Sequence, residues 1–201
     1  YALGDRLYGI RLDTPSERGR VTAALVTEIR ARLDQAGFSH VTITVSGGLT
    51  LDAGAGLRAL DGAFVVLART VFERNQSIDA GGGVALVADT PGGATLLVSE
   101  SRFVLNSAGL PPGVPGIGGA IHASGRSSVH LLDSWLDNNI ASEAPALYSD
   151  FGAVAIERST ITNHESDNAT LRLSNVEPVR IENSTITNNR SQHAILFFTS
   201  D

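Results

Sequence analysis

Residues 184–189 read Ser-Thr-Ile-Thr-Asn-Asn, and nearly the same six residues, Ser-Thr-Ile-Thr-Asn-His, occupy positions 159–164. Looser copies, with Ser or Thr followed two positions later by an apolar residue and five positions later by Asn, begin at 70, 101 and 134. A pattern that recurs every 25 to 33 residues indicates a repeat architecture, which has to be identified before single elements are assigned.

Two short apolar strands flank this pattern in each copy. The strand before it alternates apolar and polar residues, as at Val129 and Leu131. The strand after it follows a turn of variable length, and we place its centres at Ala85, Ile121, Leu147, Leu171 and Ile195. Alternation with a period of two, bounded by Gly, Asn, Asp and Ser, is typical of β-strands. A propeller blade needs roughly 40 residues, so about 25 residues per copy favours one coil of a parallel β-helix.

Stacking of such coils explains why the same residue types recur. Coils about 4.8 Å apart place equivalent residues in columns along the axis. The apolar positions then form one buried column, made of Phe72, Phe103, Leu136, Ile161 and Ile186. The Asn positions predict an inward amide ladder at a bend, made of Asn75, Asn106, Asn139 and Asn189. His164 either interrupts the ladder or, after a shift of one residue, leaves its place to Asn163.

Composition restricts the possible partners. The chain has 201 residues, a net charge of -6 and no cysteine. Its length predicts a substantial core. The negative charge argues against nucleic acid and anionic membranes as partners, and no membrane-spanning stretch is visible. Without cysteine there is no disulfide framework and no thiolate metal site, and the two histidines at 122 and 130 have no metal-binding spacing. We therefore predict no nucleic-acid partner, no membrane insertion, no metal and no cofactor.

The N-terminal residues 1–40 do not fit the repeat and predict a capping segment ahead of the β-helix at 41–201. Thr14-Pro15-Ser16-Glu17 is a capping box with proline at the first helical position. Apolar residues then recur every four positions, at Val21, Leu25, Ile29 and Leu33, and Gly37 follows. This pattern predicts an amphipathic helix over about 15–36 that covers the open end of the first coil, with Arg30 among its polar residues.

The other end of the chain shows no comparable cap. An uncapped β-helix exposes unpaired backbone groups and apolar columns, so we expect either further chain or end-to-end self-association there. Two insertions, at 76–82 and 107–118, both follow the Asn corner. Because they follow the same corner, both are expected to be surface loops on the same side of the coil. The three prolines of the second insertion also keep it out of the strand pairing.

The pattern at 184–189, together with Gly118-Gly119-Ala120-Ile121, resembles the repeats of the pectin-lyase-like superfamily of right-handed parallel β-helices. It is particularly similar to the repeats of polymorphic outer-membrane proteins and autotransporter passengers. The resemblance covers roughly residues 62–198 and implies a secreted or surface-displayed protein. Members of that superfamily include adhesins as well as polysaccharide lyases, hydrolases and epimerases, so the resemblance leaves function open.

A candidate binding surface follows from the alternation of the second strand. The residue after each apolar centre faces outward, which predicts a column of Leu86, His122, Tyr148, Arg172 and Leu196. Two positions further on, the outward set contains Ser124, Asp150 and Ser174. We predict that His122, Tyr148, Asp150 and Arg172 bind an extended saccharide by stacking and hydrogen bonds, although an ordinary solvated face explains them too.

Two other functions remain open. Catalysis needs paired acids, and stacked pairs are available at Glu157 with Glu182 and at Glu100 with Asp133. With Arg158 beneath Asp133 and Arg180 near Glu157, these are equally an ion-pair network, and no catalytic residue is assigned. Thr160 and Thr162 stack on Thr185 and Thr187, which resembles the Thr-x-Thr ranks of ice-binding proteins.

Taken together, the residues favour a non-catalytic, secreted or cell-surface β-helix that binds a saccharide or a surface protein. The alternatives are a polysaccharide lyase, hydrolase or epimerase, and an ice-binding protein.

Overall fold

The computed structural model describes residues 9–12, 23–45, 54–109 and 114–199. These residues form a parallel β-solenoid of about five coils, with about 27 residues per turn and a helix near the N-terminus. The all-β class and the parallel β-helix predicted from the repeat are confirmed.

The elements follow one another in the order that the repeat requires. In chain order they are β1 (Gly9–Leu12), α1 (Ala23–Gln35), β2 (Thr42–Val45), β3 (Leu57–Leu60), β4 (Phe64–Ala68), β5 (Thr70–Glu73), β6 (Gln76–Ser77), β7 (Val84–Ala88), β8 (Thr95–Ser99), β9 (Arg102–Val104), β10 (Ser107–Ala108), β11 (Ile121–Gly125), β12 (Ser128–Leu132), β13 (Trp135–Asp137), β14 (Leu147–Ser149), β15 (Gly152–Glu157), β16 (Thr160–Thr162), β17 (Glu165–Ser166), β18 (Ala169–Ser174), β19 (Val176–Glu182), β20 (Thr185–Thr187), β21 (Arg190–Ser191) and β22 (Ala194–Thr199).

Equivalent strands of successive coils pair in parallel and build three long sheets. Sheet 1 has the order β1-β2-β5-β9-β13-β16-β20, sheet 2 the order β3-β7-β11-β14-β18-β22, and sheet 3 the order β4-β8-β12-β15-β19. Two-residue strands form the further pairs β6-β10 and β17-β21. The two insertions therefore begin with paired strands and not as free loops, because their first residues form β6 and β10, which pair in parallel.

The buried column of sheet 1 follows the predicted register. Phe72 pairs with Phe103, Phe103 with Leu136, Leu136 with Ile161, and Ile161 with Ile186. The first four are fully buried, whereas Ile186 in the last coil is half-buried. The two phenylalanine rings stack with centroids 4.9 Å apart and 6° between their planes. Residues 25 apart thus lie directly above one another.

The sheet-1 strands from β5 to β20 each begin at a corner that is closed by a hydroxyl group. The backbone N–H of Ser101 donates to Ser134 Oγ at 3.2 Å, and that of Ser134 donates to Ser159 Oγ at 3.1 Å. Each hydroxyl in turn donates to the carbonyl two residues earlier, as Ser134 Oγ does to Leu132 O at 2.7 Å. The residue ahead of each Ser lies in the left-handed region, for example Asp133 at φ 48°. The repeated Ser therefore satisfies backbone groups at a sharp turn.

The Asn corner holds the predicted ladder together with His164. Asn75 Nδ2 donates to Asn106 Oδ1, and Asn106 Nδ2 donates to Asn139 Oδ1, both at 2.9 Å. His164 occupies the next place, with Nε2 3.2 Å from Asn139 Nδ2 and Nδ1 3.0 Å from Asn189 Oδ1. The ring continues the ladder, and Asn163 lies outside it, where its Nδ2 donates to Asp137 Oδ1 at 2.8 Å. The alternative in which Asn163 fills the ladder is wrong.

The predicted centres of two sheet-2 strands are wrong by one residue. Ile121 pairs with Val84 and Leu171 with Leu196, so Ala85 and Ile195 are not inward. Ala85 takes the outward place that was assigned to Leu86, which is fully buried, and Phe197 pairs with Arg172 in place of Leu196. A slip of one residue exchanges the two faces of a strand, and the turns of variable length before β7 and β22 hide the register from the sequence.

Helix α1 packs against the first described coil, as the capping prediction requires. Val26 is buried in the core, and Ile29 and Leu33 pack against it. The expected start at residues 14–17 lies outside the described residues. Strand β1 extends sheet 1 on the N-terminal side of β2, a pairing that the sequence reading did not include. The division into 1–40 and 41–201 stays a prediction.

Arg30 is not on a solvated face of the helix, contrary to the sequence reading. It is 7% exposed, and its guanidinium donates to Val41 O at 2.6 Å and to Phe38 O at 2.9 Å. The carbonyl groups of Phe38 and Val41 lie in the link between α1 and β2 and need hydrogen-bond donors. The long side chain of Arg30 reaches them and supplies those donors.

Candidate functional site

Sheet 2 brings three of the four predicted site residues into one row. His122 pairs with Tyr148, and Tyr148 pairs with Arg172, on the adjacent strands β11, β14 and β18. Their neighbours Ile121, Leu147 and Leu171 are fully buried, so the alternation of a strand turns the three polar side chains outward. Asp150 follows Tyr148 by two residues, directly after β14 ends, and after burial its charge contributes to the raised pKa of Tyr148, so its carboxylate lies near that residue. We call His122, Tyr148, Asp150 and Arg172 the His122 face.

The rings of this face lie against one another along the solenoid axis. The His122 and Tyr148 centroids are 5.2 Å apart with 10° between the planes, and Arg172 Cζ lies 5.7 Å from the Tyr148 centroid. Since His122 and Arg172 come from opposite neighbouring strands, they cover both faces of the Tyr148 ring. A sugar therefore cannot stack on Tyr148 as the sequence reading expected. Hydrogen bonding from the outer edges of these groups remains available.

Arg172 is neutralised by a residue that the sequence reading missed. Its Nη1 forms an ion pair with Glu143 Oε1, and this raises the pKa of Arg172. The same carboxylate oxygen accepts a hydrogen bond from Asn168 Nδ2 at 3.0 Å. Glu143 lies in a turn of variable length outside the repeated pattern. Asn168 follows Glu143 by 25 residues, which is one coil in this part of the chain. From this spacing the contact between the two side chains could have been predicted.

His122 and Asp150 carry polar atoms that lack partners. His122 is 9% exposed, and burial lowers its pKa to about 4, so the ring is neutral at neutral pH. Its Nδ1 is buried without a hydrogen bond in the described part of the chain, as is Asp150 Oδ1. Burial raises the pKa of Asp150, opposed by hydrogen bonds from the backbone N–H groups of Gly125 and Asp150 itself. Buried polar atoms without partners are uncommon in native proteins and point to something that pairs with them.

The acidic residues of sheet 3 are paired with cations instead. Glu157 and Glu182 stack in register as predicted, and Arg180 lies 3.6 Å from Glu157 Oε1 and 2.6 Å from Glu182 Oε2. Arg158 holds Asp133 through two contacts, of 2.8 and 3.0 Å. These pairs form an ion-pair network, in which arginine holds each of the carboxylates of Glu157, Glu182 and Asp133.

A groove of about 400 Å³ lies on the Asn-corner side, away from the His122 face. It is lined by Ala108, Gly109, Val114, Asn138, Asn139, Ile140, Ala141, Ser142, Glu165, Ser166 and Asp167. Its buried hydroxyl, Ser166 Oγ, already donates to Ser142 O at 3.0 Å, and Glu165 is exposed and 3.9 Å from Arg190 Nη1. Because Ser166 and Glu165 already have partners, the groove is the weaker candidate.

The Thr-x-Thr pairs stack as predicted but present an interrupted surface. Thr160 pairs with Thr185 and Thr162 with Thr187. Thr162 is 5% exposed, and the next residue in the Thr160 row is Trp135, with Arg102 Cζ 5.0 Å from its ring centroid.

Neither a metal-binding cluster nor a membrane-spanning helix is found within the described ranges. Within them, no group of three or more His, Asp or Glu side chains is placed to hold a metal ion. No helix among the same residues is long and apolar enough to cross a membrane.

Comparison with known proteins returned no relative. No family model matches the chain, no curated protein matches it, and no solved structure matches it. What is established about its class is therefore its architecture, a parallel β-solenoid of about five coils.

Proposed function

We propose that this protein is a non-catalytic binding module that holds a saccharide on the His122 face. One observation carries the proposal: two residues of the His122 face each have a buried polar atom without a hydrogen-bond partner, His122 Nδ1 and Asp150 Oδ1. Leaving a buried polar atom unpaired costs about 1–3 kcal/mol, so a ligand that hydrogen-bonds to both atoms recovers free energy. Saccharide hydroxyl groups both donate and accept, which suits this pair.

The resemblance to pectin-lyase-like repeats supports a location outside the cell for this function. Proteins of that superfamily are secreted or displayed on the cell surface, so we propose the same location for this chain. The resemblance to autotransporter passengers favours adhesion, with a surface protein as the alternative partner. The regular solenoid offers a rigid surface on which polar groups stay at fixed spacing, as recognition of a repeating polymer requires.

Glycan-array screening followed by calorimetric titration of the saccharides that bind tests this proposal. Asp150→Ala removes one of the two unpaired acceptors and should weaken binding about tenfold or more, since a hydrogen bond to a charged group contributes about 1.5–3 kcal/mol. Asp133→Ala is the matched control, because Asp133 is an exposed carboxylate at the corner between β12 and β13, away from sheet 2. Equal affinities of the two variants would rule out the His122 face.

A polysaccharide-active enzyme is the second candidate, and the raised pKa of Asp150 is the observation that favours it. Burial that raises the pKa of a carboxyl group brings it closer to the range in which such a group can act as a general acid. Assays for reducing ends and for unsaturated products on acidic and neutral polysaccharides distinguish the two functions. Turnover that disappears in Asp150→Asn would replace binding by catalysis, whereas binding without turnover retains the proposal.

A further inference from the structure

The charges of the His122 face restrict the class of saccharide further. Arg172 is engaged by Glu143 and is not offered to a ligand carboxylate. The ring of His122 carries no charge at neutral pH, since burial lowers its pKa to about 4. Among the described residues Asp150 has no ion-pair partner, and its Oδ1 is buried without a hydrogen bond. The face therefore combines hydrogen-bonding atoms with a negative charge on Asp150 that no described cation neutralises.

We propose, on the basis of the saccharide-binding function above, that this face selects an uncharged saccharide with neighbouring hydroxyl groups and rejects acidic saccharides such as polyuronates. A hydroxyl group can donate to Asp150 Oδ1, and it can donate to or accept from His122 Nδ1 in either tautomer of the ring. A uronate carboxylate only accepts hydrogen bonds, so it cannot pair with Asp150 Oδ1, and Asp150 repels it.

The backbone positions of His122 and Asp150 allow both side chains to contact one sugar residue. His122 and Asp150 belong to adjacent coils, about 4.8 Å apart, and are offset by two positions along the strand, about 6.6 Å. Their α-carbons are therefore about 8 Å apart, and side chains on the same face can converge on neighbouring hydroxyl groups of one ring. Arg58 lies in the same row, but two coils from His122 through Ala85, so it does not neutralise Asp150.

A matched pair of polymers tests this selectivity. Polygalacturonate and its carboxyl-reduced form share one backbone and differ in charge, and a panel of neutral and uronate oligosaccharides extends the comparison. Affinity electrophoresis and calorimetry on the whole chain should show at least tenfold tighter binding of the neutral members. Tighter binding of the acidic members would overturn the selectivity while leaving saccharide binding intact. Binding of neither set would overturn both.

Glu143→Gln probes the cause of the selectivity. Glutamine keeps an oxygen for Asn168 and Arg172 but removes the charge, so the positive charge of Arg172 is no longer neutralised and attracts a ligand carboxylate. The ratio of neutral to acidic affinity should fall about tenfold or more. Asp150→Asn removes the repelling charge and should shift the ratio in the same direction, which keeps the test valid if Glu143→Gln does not fold.

Glu157→Gln is the control for the loss of one negative charge. It lies on sheet 3, where its partner is Arg180, and should leave the ratio unchanged. A ratio that stays constant in both Glu143→Gln and Asp150→Asn, or that shifts equally in Glu157→Gln, would overturn the role of the local charges.

Discussion

His164 is the residue whose chemistry differs most from its equivalents in the other coils. It takes a place that Asn fills at 75, 106, 139 and 189, and it is 1% exposed. The ring must accept a hydrogen bond from Asn139 Nδ2 at Nε2 and donate from Nδ1 to Asn189 Oδ1. A neutral imidazole with its proton on Nδ1 does both. A protonated ring would turn an N–H group toward the Asn139 amide and break the ladder.

We expect this histidine to make the protein sensitive to acid. Burial lowers the pKa of His164 to about 4, against an ordinary value of 6.5. Between these values the unfolded chain binds the proton and the folded chain does not, so stability present above pH 6.5 is lost as the pH falls toward 4. As the pH falls from 6.5 toward 4, the free energy of unfolding should decrease by about 3 kcal/mol less in His164→Asn than in the wild type. Urea unfolding at a series of pH values measures this difference.

His193→Asn is the control for this experiment, because His193 is exposed. His122 contributes a decline of the same sign, but it is present in every protein compared and cancels in the difference. Parallel stability curves for wild type and His164→Asn would show that the ladder does not depend on the protonation of this ring.

At the scale of elements, α1 is fixed at its C-terminal end by a Schellman motif. Phe38 N donates to Leu33 O at 2.7 Å and Gly37 N donates to Asp34 O at 3.1 Å, with Gly37 at φ 83°. The carbonyl of Phe38 then accepts from Arg30. The glycine lets the chain reverse so that the arginine can bind the link that leads into β2.

Gly37→Ala should destabilise the protein by about 1–2 kcal/mol through backbone strain alone, because a Cβ built at Gly37 meets no atom within 4 Å. Thermal and urea unfolding measure this difference. Gly92→Ala is the matched control, since its φ lies outside the left-handed region and its nearest contact, Thr90 Oγ1, is 3.7 Å away. Equal stability of the two variants would mean that the end of the helix does not hold the cap in place.

Over the whole molecule, stability is expected to vary along the axis. Each coil of a solenoid contacts its immediate neighbours, and among the described strands β19, β20 and β22 pair on one side. The core residues of this last coil, Ile181, Ile186 and Leu196, are half-buried, whereas their equivalents one coil earlier are fully buried.

Hydrogen exchange should therefore be faster for amides in residues 176–199 than in 95–174, because opening the last coil breaks one set of pairings instead of two. Mass spectrometry of exchanged peptides measures this gradient, and uniform protection would contradict it. The end-to-end association expected from the sequence stays a prediction. Protection of 176–199 that rises with protein concentration would support it.

The sequence also anticipated much of the candidate site, within limits set by the repeat. His122, Tyr148 and Arg172 could be placed in one row because the segments between their strands have nearly constant length. Glu143 could not be linked to Arg172, since it belongs to a turn outside the pattern. The ring stacking was missed for another reason: a pattern gives the side of the sheet on which a side chain lies, but not the direction in which its ring turns.

What the sequence by itself determined is the parallel β-helix, its buried column and its Asn corner. A repeat of about 25 residues leaves one way to bury every apolar position and to pair every strand, so composition and spacing suffice. The tertiary structure alone decided the register of β7 and β22, the burial of Arg30, the pairing of Arg172 with Glu143 and the unpaired atoms of His122 and Asp150. These features depend on how turns of unequal length fold back on the coils. They bring together residues that the repeat does not relate, and hydrogen-bond geometry and desolvation between such residues cannot be derived from the repeat.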